Sequence, residues 1–243
     1  MFLYYFRVFL VVTYFLLFSV MAVIFLIFMP FKPNSSRYVM KLWRPAYFLA
    51  NIRVEPINAP TRSPDKPVIY IANHQDLLDI FMLTHVWPHN TFVVGKRSII
   101  FIPFFGIAFW LAGNIFINRS DKEGAWALMD QLAMEMHDHH KNIYILPEGT
   151  RSRGRGLLPF KKGAFATAIK AGADIVPICA SSSSKIDLHN WTPAKGYIEF
   201  LPPVSSEGYT LEQAGELAEH CHHLMKNKIA ELDARIDKES GKT

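Results

Sequence analysis

From Val8 to Met29 the chain runs 22 residues without a charge, its polarity broken only by Thr13 and Ser19. A helix needs about 20 such residues to cross the hydrocarbon of a bilayer, so this segment belongs in a membrane. A cleaved secretory leader is the competing reading, but the run is too long for a leader's apolar core and no small-x-small cleavage site follows it in "FMPFKPNSS". After Pro30, Lys32, Arg37, Lys41, Arg44 and Arg53 outweigh the single Arg7 on the other side. The positive-inside rule then places the bulk of the chain in the cytoplasm, at the inner (cytoplasmic) membrane. In "SSRYVMKLWRPAYFLANI" the basic Arg37, Lys41 and Arg44 share one helical face, while Val39, Leu42, Trp43, Ala46 and Tyr47 gather on another. That is the pattern of a helix lying in the membrane interface and kinked at Pro45, or of an ordinary surface helix. Crossing the bilayer and folding back within one leaflet are both compatible with the apolar run.

The 243 residues suit one sizeable domain with this appendage: residues 1–55 as the membrane and interfacial helices, and 56–243 as the domain proper. Beyond the linker-like "NAPTRSPDKP", short apolar runs at 68–72, 91–94, 115–118, 142–146, 175–180 and 197–201 read as strands. Helical patterns fill the spaces at 77–86, 122–140, 161–172 and 210–237. Alternation of this kind predicts an α/β fold, a mixed and mostly parallel sheet covered by helices, with its chemistry in the loops at strand ends. "SSSS" at Ser181 to Ser184 reads as a loop. The uncharged stretch Ser98 to Ile117 is long enough to span a bilayer, but it contains Pro103, Gly106, Gly113 and Asn114. A second crossing would put Lys96 and Arg119 on opposite sides of the membrane. The expectation is therefore a hydrophobic helix packed on the sheet or dipping into the membrane face, with residues available to line an acyl channel.

Net charge is +5 with histidine neutral, so the partner surface is anionic. The membrane segment favours lipid over nucleic acid. Two cysteines, Cys179 and Cys221, make a poor disulfide framework and agree with a reducing compartment.

Three strand ends carry candidate chemistry. In "YIANHQDLLDIF", His74 stands five residues ahead of Asp79. On one continuous helix the two would lie roughly 140° apart and could not touch. With His74 in the turn before the helix and Asp79 in its first turns, the carboxylate reaches a ring nitrogen, giving a base with its orienting acid. In "PEGTRSRGRGLLPFKKG", Glu148, Gly149, Thr150 and Arg151 precede Arg153, Arg155, Lys161 and Lys162. Glycines interleaved with arginines let amides and guanidinium groups converge on an anion, and no aromatic residues interleave for stacking on bases. In "GNIFINR", Arg119 emerges at the far end of a short strand.

Taken together, "NHQDLLD", "GNIFINR", "PEGTR" and "IVPI" at Ile175 to Ile178 fit an HxxxxD motif, a GxxFIxR motif, an EGTR motif and a proline-containing strand, in that order. The chain resembles the bacterial 1-acyl-sn-glycerol-3-phosphate (lysophosphatidate) acyltransferases from its apolar N-terminal segment through at least Pro203. The resemblance implies the glycerolipid acyltransferase fold and acyl transfer from acyl-CoA or acyl-carrier protein to the 2-hydroxyl of lysophosphatidate at a phospholipid membrane. It implies His74 as general base, Asp79 as its partner, and Glu148, Gly149, Thr150 and Arg151 as part of the acceptor site. Arg119 and Arg151 are the foremost candidates for the phosphate, with Lys96 a third. No metal or cofactor is expected, because a thioester is already activated. The same transfer to glycerol 3-phosphate or another lysophospholipid fits these motifs, while a non-catalytic protein binding anionic lipid and a metal-dependent lipid hydrolase are readings from other classes. A covalent route through Cys179 would need a base within its reach. His137, His139 and His140, and His220, His222 and His223, sit on polar helical patterns without an HExxH or CxxC companion, so packing or solvation is the simpler expectation.

Overall fold

The computed structural model describes residues 1–84, 86–118 and 122–241, leaving aside the side chains of residues 47, 80, 81, 122, 123, 125 and 126. Among the described residues, seven strands form one sheet: β1 (Ile52–Ile57), β2 (Val68–Ala72), β3 (Thr91–Lys96), β4 (Ile115–Ile117), β5 (Asn142–Ile145), β6 (Asp174–Ala180) and β7 (Ala194–Phe200). Their order is β1-β7-β6-β2-β5-β3-β4. All pairings are parallel except β6 with β7. The expected mixed, mostly parallel sheet is therefore present. β1 straddles the boundary expected after residue 55, and its Pro56 is tolerated because the strand lies at the sheet edge.

Successive side chains of the central β2 feed two cores. Ile69 and Ile71 pack beneath α6 (Lys122–His139), α7 (Gly163–Ala171) and α8 (Ala214–Glu239). Val68, Tyr70 and Ala72 pack beneath α4 (Leu78–Thr84) with Met82, Leu83 and Trp87. A strand buried on both faces must be apolar at every position, as "VIYIA" is. Each fully buried aliphatic side chain contributes about 1.5–3 kcal/mol of transfer free energy. α8 packs with Leu217, Cys221, Met225, Leu232 and Ile236 inward at helical spacing, while Leu224 faces out.

The chain leaves β2 through α4 toward β3, and leaves β5 through α7 toward β6, so neighbouring strands send their connections in opposite directions. A crevice opens at the carboxyl ends of strands where this happens.

The apolar N-terminal segment is α1 (Phe2–Phe28), a helix long and apolar enough to cross a bilayer. It lies along the domain rather than standing away from it. Near its start, Arg7 is buried and its Nη1 donates to the carbonyls of Leu188 and Asn190, 2.7 Å each. Midway, the Tyr14 hydroxyl donates to the Leu42 carbonyl at 2.8 Å. Toward its end, Ala22 and Leu26 bury against Ala108 and Ala112. The kinked helix expected within 35–52 is two helices, α2 (Ser35–Trp43) and α3 (Ala46–Leu49), parted at Pro45. α2 turns Val39 and Trp43 inward against α1, and Arg37 faces the domain, donating to the Trp87 carbonyl at 3.1 Å. The uncharged stretch 98–117 is not one helix. A 3₁₀ turn (Arg97–Phe101) is followed by α5 (Phe105–Leu111) and then β4, with Phe104 at φ +60° where the direction changes. Gly106 permits that corner, since a Cβ there would stand 2.5 Å from the Ile100 carbonyl oxygen. Outward, Phe9, Leu17 and Phe28 of α1 join Ile100, Phe101, Phe104 and Trp110 as exposed apolar surface.

Candidate active site

The crevice between β2 and β5 holds the histidine and the glycine-arginine loop side by side. His74 lies in the turn after β2, and Asp79 is the second residue of α4. Asp79 Oδ2 accepts from His74 Nδ1 at 2.8 Å, from the Gln75 amide at 2.6 Å and from the Asp76 amide at 3.1 Å. An ionised carboxylate only accepts, so the ring proton sits on Nδ1, and Nε2 is the nitrogen left to accept. Burial holds the Asp79 carboxyl above its ordinary range, and the His74 and Gln75 hydrogen bonds oppose that rise. Its other oxygen, Oδ1, is buried with no hydrogen-bond partner among the described residues.

The second loop clamps the first. Glu148 is buried, with Oε1 accepting from the His74 amide at 2.6 Å and Oε2 from the Leu158 amide at 2.9 Å. The amides of Ser152 and Arg153 donate in turn to the carbonyls of His74 and Gln75, at 2.8 and 3.0 Å. Burial likewise raises the Glu148 carboxyl, against its two backbone bonds. Gly149 follows at φ +69°, a conformation that penalises any Cβ, and a Cβ there would meet Lys161 Cε at 2.8 Å.

His74 and Asp79 line a cavity of about 1030 Å³. Lys96, Arg97, Gly149, Thr150, Arg151, Arg153 and Lys161 share its wall. Among the described residues, no carboxylate forms an ion pair with any of these five cations. Away from them the wall is apolar, formed by Val39, Trp43, Leu83, Phe105 and Phe109 among others. An organic base, a field of unpaired cations and an apolar chamber thus meet in one place, an arrangement suited to an amphiphile with an anionic head.

Of the residues singled out from the sequence, His74, Asp79, Lys96, Gly149, Thr150 and Arg151 come together at this cavity. Glu148 stands behind it, engaged with backbone. Arg119 lies outside the described residues. Sequence reasoning left Arg97 out, and took Arg153 and Lys161 only as members of the basic loop able to converge on an anion, without singling them out for the acceptor site. It also missed Asn73 and Gln75, whose side chains tie the histidine turn to β6 and the loop after it.

Cys179 is buried beneath α8 with its Sγ 3.9 Å from the Met225 carbonyl, and burial pushes its thiol up to about 12. Of the histidines set aside, His137 is exposed beside Asp138, and His222 meets the Phe160 ring edge-on at 4.9 Å. Among the described residues, no three histidine, cysteine or carboxylate side chains gather to hold a metal ion.

A family model described as Acyltransferase matches residues 51–181, which take in both loops. The 1-acyl-sn-glycerol-3-phosphate acyltransferase of Haemophilus influenzae is 41% identical over 234 residues, covering 96% of this chain and 97% of that protein. The enzyme of the same name from Escherichia coli is 38% identical over 235 residues, covering 96% of each. The crystal structure of the 1-acyl-sn-glycerophosphate acyltransferase of Thermotoga maritima superposes with a TM-score of 0.70 at 21% identity, over 96% of this chain and 95% of that one, and so shares the fold. With the motif loops in place and near-complete coverage of such relatives, the chain is an enzyme of the 1-acyl-sn-glycerol-3-phosphate acyltransferase family.

Proposed function

We propose that this enzyme transfers a fatty acyl group from a thioester to the 2-hydroxyl of lysophosphatidate, giving phosphatidate, with His74 as general base. The observation that carries the reading is the cavity whose wall holds the His74–Asp79 pair, the cations Lys96, Arg97, Arg151, Arg153 and Lys161, and a large share of apolar side chains. A phosphate monoester held by those cations brings its neighbouring hydroxyl to the imidazole, so that binding supplies proximity. The hydroxyl oxygen attacks the thioester carbonyl carbon as its proton passes to Nε2. The oxyanion that forms is met by the cationic wall. When it collapses the carbon–sulfur bond breaks, and the departing thiolate takes the proton back from the imidazolium. Asp79 holds the ring in place and offsets its transient charge. Acyl-CoA and acyl-carrier protein both present the required thioester. Glu148 serves this scheme as a positioning residue, through the two backbone amides it accepts from.

The exposed apolar faces of α1 and of the 97–111 segment are the proposed lipid contact, with the domain on the cytoplasmic side of the inner membrane. α1 is held to the domain at Arg7 near one end and at Leu26 near the other. That supports a helix lying within one leaflet, with the cavity at the interface where a lysolipid resides.

The test is an acceptor panel with purified protein and a labelled palmitoyl thioester. Phosphatidate from lysophosphatidate is the expected product. Faster transfer to glycerol 3-phosphate would overturn the substrate assignment, and thioester hydrolysis without an acceptor would overturn the reaction class.

A further inference from the structure

The turn that presents His74 is also held from the far side, through a chain of hydrogen bonds that ends on the C-terminal helix. Gln75 is buried beside His74, and its amide caps the same Asp79 oxygen that orients the imidazole. The Gln75 side chain is committed elsewhere: Nε2 donates to the Ser181 carbonyl at 2.9 Å, and Oε1 accepts from the Ser183 amide at 2.8 Å. Its two partners flank Ser182. The Ser182 amide donates to Asp233 Oδ1 at 2.7 Å, and its hydroxyl donates to Asp233 Oδ2. One turn further along α8, Asp237 receives Lys185 Nζ at 2.6 and 2.7 Å. The run of four serines therefore lies between two polar anchors, the glutamine of the catalytic turn and an aspartate of α8.

The geometry points to Asp233 as a remote positioning residue for the acyl-transfer step, acting through Ser182 and Gln75 on the orientation of His74 and Asp79. Two features favour this over a purely local tether. A serine loop has little apolar area to fix it by packing, so its shape follows its hydrogen bonds. Among the described residues, the Gln75 side chain bonds only to that loop's backbone, so its register follows the loop's shape. The loop's near end is fixed independently, because the Ser181 amide donates to the Tyr197 carbonyl at 2.9 Å and the Ser181 hydroxyl accepts from the Tyr197 amide at 3.0 Å. Asp233 thus anchors the start of the far half at Ser182, next to the Ser183 amide that meets Gln75, while the 3₁₀ turn Ser183–Lys185 and the Lys185–Asp237 pair hold its end. Small displacements at a reacting centre cost up to about a hundredfold in rate, so the effect belongs in kcat rather than in acceptor affinity.

This inference rests on the acyltransferase reading of His74, and its test carries a readout independent of turnover. In the full-length protein, Asp233→Ala is expected to lower kcat about tenfold with KM and melting temperature little changed. Asp233→Asn, whose amide can accept from the Ser182 amide and donate to its hydroxyl, is expected to restore the rate. Gln75→Ala should cause a similar loss, and the double variant should be no worse than either single one. Hydrogen exchange measured alongside should quicken at residues 73–79 as well as 181–185 in Asp233→Ala. Should that variant fold poorly, Ser182→Ala removes one of the two bonds and is expected to show a smaller change of the same kind. Faster exchange confined to 181–185, wild-type kcat in Asp233→Ala, or fully additive losses would overturn the inference. A wild-type enzyme that forms no phosphatidate would instead overturn the reading on which it rests.

Discussion

Replacing Asp79 by Asn isolates the charge of the carboxylate from its geometry. Three donors converge on Oδ2, namely His74 Nδ1 and the amides of Gln75 and Asp76. An asparagine must therefore turn its carbonyl oxygen to that position, because its NH₂ would face three N–H groups. The ring tautomer and the turn are kept, and what disappears is the attraction between a carboxylate and the imidazolium formed during transfer. The nitrogen and oxygen lie 2.8 Å apart, with 17% and 4% of the two side chains exposed. Taking the charge centres about 4 Å apart with an effective dielectric constant near 20, the attraction is about 4 kcal/mol. At about 1.4 kcal/mol per decade, that is roughly three orders of magnitude in kcat. The assay is initial-rate acyl transfer from labelled palmitoyl-CoA to lysophosphatidate in mixed micelles, with KM expected to stay within about twofold because the cations are untouched. A kcat loss below tenfold, or a loss appearing mainly in KM, would refute the electrostatic role given to Asp79.

The two buried carboxyls also set a sign for stability against pH. Burial raises both Asp79 and Glu148, so over the window from their unfolded values near pH 4 upward the folded chain binds more protons than the unfolded one. Their contribution to stability is therefore lost as pH rises above about 4, and Asp79→Asn should gain stability relative to wild type as pH rises from there toward the raised folded-state value in denaturant titrations; a constant difference would contradict the shift. Because burial pushes Cys179 and Cys221 up to about 12, iodoacetamide at mildly alkaline pH should leave the native enzyme unmodified and active, and inactivation in step with alkylation would revive a thiol mechanism. Gly149→Ala places a Cβ at φ +69° and 2.8 Å from Lys161 Cε. It should cost about 1–2 kcal/mol, lower the melting temperature by about 2–8 °C and raise KM for lysophosphatidate, whereas an unchanged KM would remove Lys161 from the acceptor site.

Much of this architecture was legible because its signals are local. "VIYIA" is apolar at every position, which both faces of a central strand require, and the five-residue spacing of His74 and Asp79 makes sense only across a turn. β1 escaped notice because only Ile52 and Val54 are buried in it, beside a run rich in proline, and an edge strand needs no stronger pattern. The stretch 98–117 gave the right sense of an apolar surface without its path, since the corner at Phe104 depends on the Gly106 backbone passing against Ile100. Nothing in the spacing of Gln75, Ser182 and Asp233 announces their connection, because it is made between elements more than fifty residues apart in the chain. The role of Glu148 was hidden for the same reason: the motif marks it as part of the site, and only the folded chain shows its oxygens committed to the amides of His74 and Leu158.

The central claim is that the His74 imidazole removes the acceptor's proton. It is tested most directly by comparing phosphatidate formation by wild type and His74→Ala alongside lysophosphatidate binding to each. The account predicts a rate lower by about 10²–10⁴-fold with binding unchanged. A variant that still transfers acyl groups at close to the wild-type rate, or that loses binding in proportion to rate, would contradict it.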